Sequence, residues 1–167
     1  MPAPAPRVTH AYDGDLVLFL IGVRLHQPWR LGVVGRVLAA MPRMIAELER
    51  NREQAACGEA EDLGYLGART LLDGGHPTVL QYWRSTEQLY RYAAAPGLEH
   101  RPAWKAFHGY AASAPRAVTI WHETYAVPAG GLESIYAGPS TFGLASLAGT
   151  VPVARRGERA RERLAVG

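Results

Sequence analysis

A chain of 167 residues with 48% hydrophobic and 20% charged side chains has the composition of a soluble domain with a substantial core. Its lone cysteine, Cys57, excludes an internal disulfide and fits a reducing cytoplasm. The net charge of +3 resides in "ARRGERARERLAVG" at 154–167; the other 13 basic and 13 acidic groups cancel, so a broad basic face for nucleic acid is excluded. No secretory leader is expected in "MPAPAPRVTH", which lacks a basic start and an apolar run. The longest apolar run, "LVLFLIGV" at 16–23, is too short to span a bilayer as a helix. The expected location is the cytoplasm, with no membrane partner.

Residues 1–14 read as a flexible arm, because Pro2, Pro4 and Pro6 block regular structure. "DLVLFLIGVRL" at 15–25 is apolar on both faces, which predicts a central strand. From about 30 to 56, Val34, Leu38, Met41, Ile45 and Leu48 form a helical stripe, with a kink or fresh start expected at Pro42. Strands at 65–72 and 77–83 flank "DGGH", a tight-hairpin signature. Ser85 and Gln88 have capping-box spacing for a short helix. A further helix at 101–113 carries Pro102 in its first turn. Strands are then predicted at 117–128 and 132–138, paired around "AGG". Residues 139–152 read as a loop closing over a pocket, anchored by Phe142, and 153–167 as a mobile Arg-rich tail.

The order is that of an α+β chain with a ferredoxin-like split βαβ core at 15–138: one antiparallel sheet with helices on one face. The doubly apolar first strand asks for cover on the second face as well, and pairing of two copies through that face is the simplest source.

"TIWHETY" at 119–125 begins like a zinc-protease helix, but position 126 is Ala, so the second ligand is missing. No metal site is expected. As a strand, its alternation sends Ile120, His122 and Thr124 to one face and Trp121, Glu123 and Tyr125 to the other. Helix 101–113 puts Trp104, Phe107 and His108 on one stripe. If the two apolar faces meet, His108 and His122 share an interior, either as core imidazoles bonded to nearby acceptors or as acid–base groups. Glu123, Tyr125 and Trp121 read as subunit interface, with Arg24 and Arg84 as candidate ion-pair partners. In "QYWR" at 81–84, Tyr82 or Trp83 would stack on an aromatic ligand or fill core. Tyr136 would offer a phenol to the pocket if its strand pairs with 117–127. His10, His26, His76 and His100 read as loop residues. Cys57, in a Gly/Glu loop, has no base nearby in sequence.

The runs "AMPRMIAELE", "QYWRSTEQLYRYA", "PAWKAFH" and "WHETYAVPAGGLESIYAG" resemble a monooxygenase-like family of the dimeric α/β-barrel superfamily. The resemblance covers roughly 15–152. It implies a homodimer with a ligand pocket between sheet and helices in each protomer. It further implies cofactor-free oxygenation of an apolar, aromatic or polyketide-like secondary metabolite. His122 is then the candidate base, with His108 and Tyr136 in support. Trp83, Tyr82, Trp104, Phe107 and Phe142 would contact the substrate. The superfamily also holds haem enzymes such as aldoxime dehydratases and chlorite dismutases, which makes haem on His108 or His122 the alternative. A cyclase, an isomerase or a non-catalytic ligand-binding protein would need similar residues.

Overall fold

The computed structural model describes residues 6–164, with side chains throughout except at 110–113. Its order is β1 (Arg7–His10), β2 (Leu16–Leu25), α1 (Leu31–Ala56), β3 (Tyr65–Asp73), β4 (His76–Trp83), α2 (Thr86–Ala94), α3 (His100–Ser113), β5 (Val118–Val127), β6 (Tyr136–Ala137), α4 (Leu144–Ala148), β7 (Thr150–Pro152), a 3-10 turn at Val153–Arg155 and α5 (Ala160–Arg163). β2 to β5 form one antiparallel sheet in the order β3-β4-β2-β5, which is the ferredoxin-like arrangement.

Register fixes what each face carries. Val17 pairs with Trp83, Phe19 with Gln81 and Ile21 with Val79, so these share the helix side. There Val17, Trp83 and Tyr65 pack with Leu48 of α1 and with Leu89 and Tyr92 of α2 into one core cluster. The Ser85 hydroxyl accepts the Gln88 amide and caps α2, as its spacing predicts. α1 runs unbroken through Pro42.

Leu16, Leu18, Leu20, Leu80 and Tyr82 take the opposite face, and here the chain departs from the sequence reading. Leu144, Leu147 and Ala148 pack onto that face, so residues 139–152 do not close the helix-side pocket. Gly67 sits at a bulge in β3 with φ +152, and a Cβ there would meet Leu147 at 2.5 Å. The segment of 1–14 expected as an arm instead supplies β1, the centre of a second sheet ordered β6-β1-β7. His10 lies in that strand, 2% exposed, not in a loop. The predicted strand 132–138 shrinks to Tyr136–Ala137 and pairs with β1 rather than β5. The tail is tied down as well. Arg163, 8% exposed, donates to Glu133 from Nε (2.9 Å) and to the Gly157 carbonyl from Nη1 (2.8 Å), and Arg156 bonds Asp13. Residues 1–5 of the arm and 165–167 of the tail lie outside the described residues. The described parts of both termini therefore join a cap on the sheet, and part of the cover assigned to a second subunit comes from the chain itself. No helix among the described residues is long and apolar enough to cross a membrane.

Candidate active site

The cap end of the sheet is filled on its helix side; the other end is not. Between the sheet, the first half of α1 and the start of α3 lies a cavity of about 1000 Å³. Ile21 and Val79 are register partners, as are Val23 and Ile120, and these four make its floor. Met41, Met44 and Ile45 of α1 and Trp104 and Phe107 of α3 form the walls. The Trp104 and Phe107 rings stack with centroids 5.6 Å apart. Much of the remaining helical lining is small, including Ala39, Ala40, Ala103 and Ala106. Short side chains on two helices leave the void that aromatics fill at the other end.

The polar groups are few and local. Arg36, Arg43, Thr70, Glu99 and His100 line the cavity. His100 Nδ1 lies 2.9 Å from the Ala93 carbonyl oxygen, which only accepts. The Nδ1–H therefore donates to that carbonyl, and in the neutral tautomer the lone pair is on Nε2. Tyr92 supports the ring with an edge-on contact, centroids 6.2 Å apart. Glu47 of α1 holds this corner by accepting the Tyr92 hydroxyl (2.9 Å) and the Glu99 amide (3.1 Å). Burial, with Glu47 beside it, pushes the Tyr92 phenol far above its ordinary value.

Of the candidate catalytic and substrate-binding residues named from sequence, only Trp104 and Phe107 line this cavity. His122 does take the helix side, paired with Ile21 and 5.6 Å from the Phe19 ring centroid, but it is exposed on an edge strand. His108 is exposed too, edge-on to Trp104 at 4.8 Å beside a second, smaller depression. The two histidines do not share the large cavity. Trp83 is fully buried core, its indole N–H bonded to Gln81 at 2.9 Å. Tyr82 faces the cap instead. Tyr136 belongs to the cap and its hydroxyl accepts the Ala145 amide (3.4 Å); Phe142 is 65% exposed on the same unit. Arg24 pairs with Asp73 and Arg84 with Asp62, so neither waits for Glu123, which accepts the Tyr125 hydroxyl at 2.7 Å.

His100 was missed because it precedes a proline-bearing helix and reads as loop. The usable signal was Pro102: a first-turn proline puts His100 at the start of α3, the end facing the α2–α3 junction. Haem on His108 or His122 requires one of them inside the cavity. Neither lines it, so those two histidines do not fit that role. No three His, Cys, Asp or Glu side chains come together as metal ligands among the described residues.

Residues 16–144 match the sequence profile of the monooxygenase af470-like family. The chain belongs to this family. Monooxygenase af470 of Aspergillus fumigatus is 27% identical over 141 residues, which cover 80% of this chain and 47% of that protein. The chain thus spans about half the length of its curated relative. Among solved structures, it is similar to SnoaB, a cofactor-independent oxygenase from Streptomyces nogalater, at 16% identity and a TM-score of 0.43 over 66% of this chain and 91% of that one. It is also similar to a dimeric protein of ferredoxin-like fold from Bacteroides fragilis, at 16% identity and a TM-score of 0.36 over 66% and 94% of the two chains. The family match spans all four strands of the main sheet together with α1, α2 and α3, the elements that enclose the cavity.

Proposed function

We propose that the cavity is the active site of a monooxygenase that needs neither metal nor flavin and oxidises an apolar fused-ring phenol or enol of secondary metabolism. One observation carries the reading: a large, predominantly apolar cavity holds a single imidazole whose Nδ1 is bonded to a backbone carbonyl. Its volume is at the upper end of the roughly 300–1,000 Å³ usual for small-molecule sites. Family membership supports the reaction class.

In this scheme His100 Nε2 removes the substrate's hydroxyl proton, and the guanidinium of Arg43 stabilises the resulting anion. The electron-rich anion reduces dioxygen, and the radical pair recombines with a new C–O bond. The imidazolium returns its proton to the peroxide. Loss of the ring C–H proton then breaks the O–O bond and expels hydroxide, which leaves as water. One oxygen atom enters the product quinone and the other leaves as water, the substrate supplying all four electrons.

The sheet face opposite the helices is uncovered beside the cap, where Trp121, Glu123, Tyr125 and Leu71 lie. We assign this strip to a homodimer contact, with Tyr125 51% exposed on it. Light scattering at micromolar protein should report twice the 18.2 kDa chain mass. A stable monomer would remove that contact from the account.

The chemistry is tested by oxygen uptake with fused-ring phenols in the absence of reductant. One dioxygen consumed per quinone formed, with a colourless purified protein, is the expected result. Uptake that depends on added haem, flavin or nicotinamide would overturn the cofactor-free reading. Tight binding of the phenols without any uptake would leave a ligand-binding protein.

A further inference from the structure

We propose that the outer face of the first half of α1, with Trp29 just before it, docks on an anionic lipid surface and presents the cavity mouth to it. This rests on the reading of the cavity as a site for apolar ligands, and it replaces the expectation of no membrane partner, which considered spanning segments alone. Trp29 and Leu31 are 71% and 75% exposed, and Leu38, two turns further along the same helix face, is 36% exposed. Between Leu31 and Ala46 every exposed position of α1 is apolar, glycine, proline or arginine. An outward helix face is ordinarily charged in both signs. The second half of the same helix obeys that rule, with Glu49, Arg50, Arg52 and Glu53 mixed along it and an Arg52–Glu49 ion pair at 2.6 Å.

Charge selects the occupant. No acidic residue occurs between Asp15 and Glu47, while Arg30, Arg36 and Arg43 lie among the exposed apolar groups. A second copy meeting this face about a two-fold axis would set these cations against one another. An anionic bilayer offers phosphates to the arginines, an interface for the indole and hydrocarbon for the leucines. Position links the face to the site: Arg36, Leu38, Pro42 and Arg43 are exposed and also line the cavity, so its mouth opens here. An apolar ligand dissolved in the bilayer would reach the cavity without crossing water.

The test is co-sedimentation of the full chain with vesicles of phosphatidylcholine alone and of phosphatidylcholine mixed with phosphatidylglycerol. Binding is expected only to the anionic vesicles and should weaken with added salt. Arg30→Gln should lower partitioning roughly fivefold, and Trp29→Ala or Leu31→Ser roughly tenfold each. These three residues lie outside the cavity lining, so oxidation of a water-dispersed phenol should persist in all three variants. Absent sedimentation, or equal sedimentation on neutral and anionic vesicles, would overturn the proposal. So would conversion of a dimer to monomers by Leu31→Glu in a protein that ignores vesicles, since the face would then be a self-contact. Vesicle binding by a protein without oxygenase activity would uphold the docking face and count against the oxygenase reading alone.

Discussion

The two ends of the main sheet are built from the same four strands and differ in what their residues leave behind. At the cap end, Trp83 and Tyr65 meet edge-on at 5.4 Å, Trp83 and Tyr92 lie 5.7 Å apart, and Leu48 is fully buried between helix and sheet. The reverse of those strands is covered too, because Leu16 and Tyr82 carry the cap. At the other end, Ile21, Val23, Val79 and Ile120 face alanines and methionines across open space. Their reverse side is thinly covered: Gly22 is overlain by the Trp121 indole, whose atoms lie 2.4–2.5 Å from where a Cβ would stand. One end supplies stability, and the other holds room for a ligand beside the only imidazole among the described lining residues.

Removing the filler should therefore be costly at the filled end alone. Trp83→Ala is expected to lose about 3–5 kcal/mol and to leave a protein near its unfolding threshold, measured by urea titration. The cap ranks next. Arg163→Ala breaks an ion pair whose arginine side chain is 5% exposed, and should cost about 3 kcal/mol. Faster amide exchange in β1 than in α1 would show that the cap loosens first. Loss of 154–167 should likewise destabilise the chain, contrary to a mobile tail.

Smaller effects follow from the tyrosines of the filled end. Tyr65 donates to Glu49 and Tyr92 to Glu47, and burial together with those carboxylates pushes both phenols far above their ordinary value. The folded chain holds these protons more tightly than the unfolded one. Their stabilisation is therefore complete below the ordinary phenol pKa, near 10, and is lost as pH rises beyond it. Tyr92→Phe should cost about 1.5 kcal/mol at neutral pH and flatten the alkaline decline, as followed by thermal melts. Smallest is a change at the open end. Ala103→Phe should alter stability by less than about 1 kcal/mol, because it enters space rather than packed atoms. It should nonetheless abolish ligand binding in a calorimetric titration.

Where period and punctuation act locally, the sequence was legible. Strand alternation placed His122 on the helix side, Ser85 capped its helix, and the split βαβ order led to the observed sheet. The termini were illegible because prolines and arginines say nothing of remote partners: Arg163 bonds Glu133, thirty residues earlier, and the His10 ring lies 2.8 Å from the Ser134 hydroxyl. The site was half legible. Trp104 and Phe107 follow from helical spacing, whereas His100 owes its role to a carbonyl of the previous helix, a contact set by the turn at 95–99. His122 obeyed its register yet stands at an exposed position of the edge strand, so facing the helices did not place it in the cavity.

The central claim is that the base is His100. Oxygen uptake by His100→Gln and His122→Gln, compared at equal melting temperature, tests it most directly. The account predicts a fall of roughly 10²-fold or more for His100→Gln and a change of no more than a few-fold for His122→Gln. The reverse ranking would move the chemistry to the edge strand and contradict the assignment of the cavity as the active site.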